Sequence, residues 1–423
     1  MKIAIIGSGI SGLACAHYLH RSHDVHVFES AARIGGHTAT VDVSVGGRKF
    51  AIDTGFIVYN DWTYPHFIKL MDELGVSTSP TDMGFSVSDK LTGLEYAGSS
   101  LNTIFAQRWN LLSPRFWGML RDILRFNKNA VADLDAGRID ETLTLGEYLR
   151  DKNYGDSFIQ QYLVPMGSAI WSADTDAMQE FPLQFFVRFF RNHGLLNVRN
   201  RPQWRVINGG SRQYLEPLCE GFKHQIHCNS KIVHVSRQPG AATLVFADGH
   251  SERFDQVVMA CHSDQALALL SDPSDRETEI LGAMHYQDNE VVLHTDTQLL
   301  PAEPKTWSAW NYLLTAQEQR AVLTYNMNIL QGLDAPETFC VTLNHTDAIN
   351  PHKILGRFNY SHPVFTLEGV AAQQRWSEIN TDQTWFCGAY WRNGFHEDGV
   401  FSALRVAQAI AALPAQERMV NAA

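Results

Sequence analysis

The chain has little of what announces most chemistries. Its six cysteines (Cys15, Cys219, Cys228, Cys261, Cys340 and Cys387) are scattered through 423 residues with no C-x-x-C pair. That speaks against a disulfide framework and suits reduced thiols in a cytoplasmic protein. Positive charge is short: 34 Lys and Arg against 45 Asp and Glu give a formal net charge of −11. A nucleic-acid backbone is therefore not the expected partner, because phosphate binding needs clustered cations. No uninterrupted apolar run reaches roughly 18 residues, so no membrane-spanning helix is expected. The short run Ile3–Ile6 is broken at once by glycines and reads as no export signal. H-E-x-x-H and G-x-S-x-G are both missing, which leaves zincin and serine-hydrolase chemistry unsupported. His224-x-x-His227 lacks a third ligand and reads as surface or structural, so no metal is expected.

What remains is the composition of an ordinary folded protein, 45% hydrophobic and 19% charged, with a length suited to about two domains. Lys2 to Ile6 reads as a buried strand, followed by Gly7-Ser8-Gly9-Ile10-Ser11-Gly12 and a helix continuing through Leu13 and Leu19. Val25 to Phe28 forms the next strand and ends at Glu29 and Ser30. This is G-x-G-x-x-G in its required setting, between strand and helix, with an acid at the end of the second strand. Gly7 allows the tight turn, Gly9 lets the backbone approach a pyrophosphate, and Gly12 allows close helix–strand packing. The N–H groups at the helix start, at Ile10 and Ser11, point toward the anion. Glu29 suits a ribose hydroxyl pair and disfavours a 2′-phosphate.

Arg33-Ile34-Gly35-Gly36-His37-Thr38 follows almost immediately, and a hairpin turning at Gly46-Gly47 then delivers Asp53-Thr54-Gly55-Phe56. Here the sequence resembles the flavoprotein group that contains amine oxidases, phytoene desaturases and protoporphyrinogen oxidases. The resemblance implies FAD. It places Arg33, Gly36, His37 and Thr38 near the pyrophosphate and ribityl chain, and Thr54, Gly55 and Phe56 near the isoalloxazine. It also places Val233 near adenine and Cys261 at the end of a buried strand of the same unit. Near the C-terminus it implies cofactor contacts at Gly388 and at the helix start carrying Asp398, Gly399 and Val400. Many members of the resembled group carry an acid directly after the strand glycine; Ala389 stands there instead, leaving Asp398 or no residue for the ribityl hydroxyl. The segment His396-Glu397-Asp398 also reads as a charge cluster complementing a helix dipole.

The expected fold is α/β: a discontinuous Rossmann-like FAD-binding domain (residues 1–72, 205–285 and 376–423) with an α+β substrate domain (73–204 and 286–375). Ser113-Pro114 and the Thr144/Glu147 pair predict helix starts. The aromatics Phe181, Phe185, Phe186, Phe189 and Phe190 read either as cavity wall, or a membrane-facing mouth, or as helical core. Trp307, Trp310, Asn311 and Tyr312 are candidates for the flavin face, with Trp391 opposite. Closer still, GSGISGL, WNY, NHGLL and GAYWRNGFHEDG resemble a bacterial group of predicted NAD/FAD-binding proteins associated with modification of membrane-lipid acyl chains. The expectation is an FAD-dependent oxidoreductase that takes hydride from an apolar substrate such as a fatty-acyl chain, with Tyr312 and His396 as candidate bases. Alternatives are an amine oxidase, an acyl double-bond isomerase and a non-catalytic flavin binder. Expected partners are a small apolar or lipid substrate and the inner face of a membrane, touched peripherally. There is no second G-x-G-x-x-G, so the electron acceptor is expected to be oxygen, a quinone or another protein.

Overall fold

A computed structural model describes residues 1–315, 320–380 and 383–413. Residues 316–319, 381–382 and 414–423, the last at the end of the expected cofactor segment, lie outside the described residues.

The first strand, β1 (Lys2–Ile6), feeds the helix α1 (Ile10–Leu19), which returns to β2 (Asp24–Phe28). β1 and β2 pair in parallel from Lys2–Asp24 to Ile6–Phe28. Three distant strands complete a five-stranded parallel sheet: Ile226–His227 beside β2, Gln256–Met259 beside β1, and Thr384–Phe386 at the far edge. β1 and Gln256–Met259, covered on both faces, are almost wholly apolar and buried, as a central parallel strand requires. On one face α1 crosses the C-terminal helix His396–Ala411; a Cβ on Gly399 would sit 2.8 Å from Ile10 Cγ2, so glycine permits the close crossing. An antiparallel meander (Ile232–Gln238, Ala241–Phe246, Ser251–Phe254) leads into Gln256–Met259, the strand beside β1.

A seven-stranded sheet stands beside this unit. Its order runs Ile354–Val364, His285–His294, Cys340–Leu343, Val322–Asn326, Trp310–Leu314, Phe85–Asp89, Leu94–Ala97. All its neighbours are antiparallel except Trp310–Leu314 against Phe85–Asp89. Helices Pro114–Asp135 and Leu183–Asn192 pack nearby in a second apolar cluster. Both predicted helix starts hold: Ser113 Oγ accepts the Phe116 N–H, and Thr144 and Glu147 cap each other's backbone N–H. Phe181, Phe186, Phe189 and Phe190 are buried in that cluster, so the aromatic run is mainly core. No described helix is long and apolar enough to cross a membrane.

Candidate functional site

The β1–α1 turn needs each glycine for a different reason. Gly7 has φ +107°, and a Cβ there would meet the Ala260 carbonyl oxygen at 2.7 Å. Gly12 passes so close to the turn that a Cβ would sit 2.0 Å from the Gly7 carbonyl oxygen. At Gly9 a Cβ would meet nothing within 4 Å, because that position opens into a cavity. Gly9 is also the N-cap of α1, and no side chain caps the helix. Its first N–H groups are therefore left for an anion.

The cavity, about 660 Å³, runs from Glu29 and Ser30 past Gly9, Ser11, Gly36 and Gly388 to Phe56, Phe395 and His396. Glu29 closes one end. Its Oε2 accepts the Ser8 N–H at 3.1 Å and the Ser8 hydroxyl at 2.6 Å, while Oε1 accepts the Ala31 N–H at 2.8 Å. Arg33 holds the double-glycine loop from behind, donating to the Gly36 and Thr38 carbonyls at 2.9 and 3.2 Å. Thr38 is buried; its hydroxyl bonds Tyr214 and lies 3.1 Å from His396 Nε2. His396 stacks on Phe56 at 3.5 Å between ring centroids. Burial lowers the His396 pKa to about 3, so the imidazole is neutral and a poor base near neutral pH. In the wall between the two ends, His37 Nε2 is buried with no hydrogen-bond partner. Its pKa is held well below the usual imidazole value, first by burial and then by His362.

The sequence-expected residues divide into two groups. Gly7, Gly9, Ile10, Ser11, Glu29, Ser30, Gly36, His37, Gly55, Phe56, Cys261, Gly388 and His396 line the cavity. Gly12, Arg33, Thr38, Thr54, Val233, Asp398, Gly399 and Val400 do not. Gly12 and Gly399 set helix packing, and Val400 is core. Thr54 bonds the Tyr360 hydroxyl at 3.0 Å. Val233 sits where the meander's register shifts between Ile232 and His234, and Ile232 lines the cavity in its place. Asp398 turns back on its own helix: it accepts the Phe395 N–H at 3.0 Å and faces Arg392 at 3.6 Å. Tyr312 is 2% exposed in the second cluster, away from the cavity. It shares a face of its strand with Trp310, which does line the cavity, but lies two residues farther along. Asn311, on the opposite face, bonds Ser86; Trp307 and Trp391 donate to the Pro301 and Phe386 carbonyls. The lining residues that sequence reading missed include Trp171, His262, Tyr286, Tyr325, His362 and Phe365, mostly carried by the large sheet and the helices. Burial pushes the Cys261 thiol up to about 12, so it stays protonated near neutral pH. Among the described residues no cluster of three or more His, Cys, Asp or Glu could hold a metal.

Residues 10–331 match the family described as flavin containing amine oxidoreductase. The chain belongs to this family. The flavoprotein is 23% identical over 264 residues to flavin-containing amine oxidase B of Bos taurus; the match covers 59% of this chain and 47% of that protein, about half its length. Its fold resembles cyclohexylamine oxidase from Brevibacterium oxydans (TM-score 0.68, 16% identity, 97% of this chain and 98% of the other). It also resembles a fatty acid isomerase from P. acnes that produces CLA (TM-score 0.69, 15% identity, 96% and 98%). Membership makes it an FAD-dependent oxidoreductase by family. The residues present fit that cofactor: an uncapped helix N-terminus, an open Gly9, a carboxylate at one end and the unpartnered His37 Nε2 supply donors and acceptors along one elongated cavity.

Asp398 carries a testable consequence for stability. Burial raises its pKa to about 6, above that of an unfolded aspartate. The folded state then binds the proton more tightly, so this contribution is complete below the unfolded pKa and is lost as pH rises through the folded one. Asp398→Asn is expected to lose less stability than the parent between about pH 4 and pH 7 in thermal melts. An unchanged pH dependence contradicts that assignment.

Proposed function

We propose that the flavoprotein oxidises an apolar substrate, a fatty-acyl chain, forming a carbon–carbon double bond. The observation that carries this is the chemistry of the cavity wall beyond Gly55. It is built from Phe56, Ile170, Trp171, Trp310, Phe365 and Phe395, and among the described residues the only carboxylate lining the cavity is Glu29 at the opposite end. A cationic amine finds no counter-charge there, whereas a hydrocarbon chain loses only water-exposed surface.

In this reading Glu29, Ser30 and Ile232 would hold the adenosine half, Gly9, Ser11 and Gly36 would receive the pyrophosphate, and the end of the cavity at Phe56 and His396 would take the flavin ring. Bound FAD supplies the two-electron acceptor that takes the hydride. The chain's own part is to orient the substrate, exclude water and accept the proton from the neighbouring carbon. Tyr312 is displaced from the cavity and His396 is too weakly basic, so neither is retained as the base. His37, His262 and His362 also line the wall, but burial lowers the pKa of all three, strongly at His37 and His362, so the same objection applies to them and no residue is assigned as the base. The discontinuous cofactor unit of residues 1–72, 205–285 and 376–423 is part of the same proposal.

One observation favours a second reading. An adjoining cavity of about 350 Å³ shares Trp171, Pro363 and Phe365 with the first and carries Glu180 and Glu368. Those carboxylates suit an amine entering from that side. Anaerobic mixing of the FAD-loaded protein with methyl-branched or unsaturated acyl lipids decides between the two. Loss of flavin colour with lipid and none with amines supports desaturation. Loss of colour with amines, and peroxide release in air, supports the amine oxidase. A shifted double bond with no net electron uptake supports an isomerase, and inertness to every donor overturns the enzyme reading.

A further inference from the structure

One surface that contributes no residue to the cavity wall is unlike the rest of the molecule. Among the described residues, six of the ten exposed large hydrophobics fall within residues 101–124: Leu101, Trp109, Leu111, Leu112, Trp117 and Leu124. Leu112 is 88% exposed, Leu101 75% and Trp109 67%. The local structure makes a patch of them. Trp117 Nε1 donates to the Leu111 carbonyl at 2.9 Å, and its ring packs 5.2 Å from Phe105, whose carbonyl accepts from Arg108. Leu101 begins the short helix that ends beside Phe105. The helix Pro114–Asp135 extends the patch, because Trp117, Arg121, Leu124 and Lys128 recur on one face at spacings of four, three and four. Arg121, Leu124 and Lys128 are exposed there, while Phe116, Met119, Phe126 and Ala130 are buried on the opposite face.

The charge of this segment opposes that of the chain. Residues 99–132 contain Arg108, Arg115, Arg121, Arg125 and Lys128 but only one acid, Asp122, in a protein of net charge −11. Asp122 is buried and lies 3.3 Å from Arg125, so it offers the surface no negative charge. Exposed tryptophan and leucine beside exposed long basic side chains match the layering of a bilayer interface. Leucine enters the acyl region, indole sits at the headgroup level, and arginine and lysine reach the phosphates.

We propose that the surface formed by residues 101–128 docks the protein on an anionic lipid bilayer. Charge complementarity selects this occupant: a strongly acidic protein presents its apolar residues together with a local excess of cations. The docking does not depend on which substrate the flavin oxidises.

The test is vesicle flotation with the full-length, FAD-loaded protein, comparing phosphatidylcholine alone with phosphatidylcholine containing about one-third phosphatidylglycerol. The parent is expected to float with the anionic vesicles and much less with the neutral ones. Arg121→Ala with Lys128→Ala is expected to weaken binding roughly 25-fold, from about fivefold per basic residue near such a surface. Leu112→Asp is expected to abolish flotation with the flavin spectrum unchanged. Leu355→Asp, at another exposed leucine, is expected to bind as the parent does. No flotation of the parent overturns the proposal. So does binding indifferent to Leu112→Asp and to the basic pair, or a soluble oligomer that dissociates on Leu112→Asp, since either assigns the patch to something other than a membrane.

Discussion

Substituting Gly9 by aspartate is expected to yield a folded but colourless protein. The backbone at Gly9 (φ −67°, ψ 178°) is extended and open to any residue, and a Cβ there meets nothing within 4 Å. Gly9 is the uncapped N-cap of α1, and aspartate is among the best N-cap residues, so stability is expected to rise by a few tenths of a kcal/mol. The same carboxylate would project into the cavity at the point where, in the proposed arrangement, the turn would receive a pyrophosphate. Two unit charges about 4 Å apart at an effective dielectric near 20 repel by roughly 4 kcal/mol, close to a thousandfold in affinity. Thermal melting and FAD titration measure the two halves separately. A variant that keeps parental FAD affinity places the diphosphate elsewhere.

Gly12→Ala, three residues along the same turn, is expected to do the opposite. Its Cβ would lie 2.0 Å from the Gly7 carbonyl oxygen, and a backbone atom cannot rotate away as a side-chain tip can. Relief requires α1 to slide along β1, yet α1 is wedged against the C-terminal helix through Gly399. Overpacking of this kind costs about 3 kcal/mol or more. Urea denaturation of the apoprotein reads the loss without reference to ligand. A loss below about 1 kcal/mol means that the turn is looser than the close contact implies. The two substitutions thus separate affinity from stability within one six-residue loop.

Their contrast also marks what the sequence reveals. The β1–α1–β2 unit is legible because its signals are local: a buried strand, glycines at fixed offsets, an acid at the next strand's end. The hairpin at Gly46-Gly47 and the capped helices are legible for the same reason. Asp398 misleads because an acid three residues into a helix after an extended residue is also a capping arrangement, and its carboxylate serves the Phe395 N–H. That signal is present in the spacing and favours the structural role. Val233 misleads by one position because a register shift in the meander is invisible to period-two reasoning. Trp171, Tyr286, His362 and Phe365 lie beyond sequence reasoning altogether. They reach the cavity only because the seven-stranded sheet and the helices bring segments more than a hundred residues from the glycine turn against it.

Asp53 belongs with Asp398 rather than with the site. It is buried beneath Ser211, whose N–H and hydroxyl it accepts at 2.9 Å, and it bonds Thr40 at 2.6 Å. Burial raises its pKa to about 6. It ties the hairpin to the Ile207–Ser211 turn behind the cavity, which explains why an acid sits in this segment without facing the cofactor space.

The central claim is that one elongated cavity, bounded by Glu29 at one end and Phe56 with His396 at the other, holds FAD. The direct measurement is the visible spectrum of the purified protein together with FAD titration of the stripped chain. The purified protein is expected to be yellow and, once stripped, to rebind one FAD per chain. A correctly folded chain that stays colourless and takes up no FAD contradicts it.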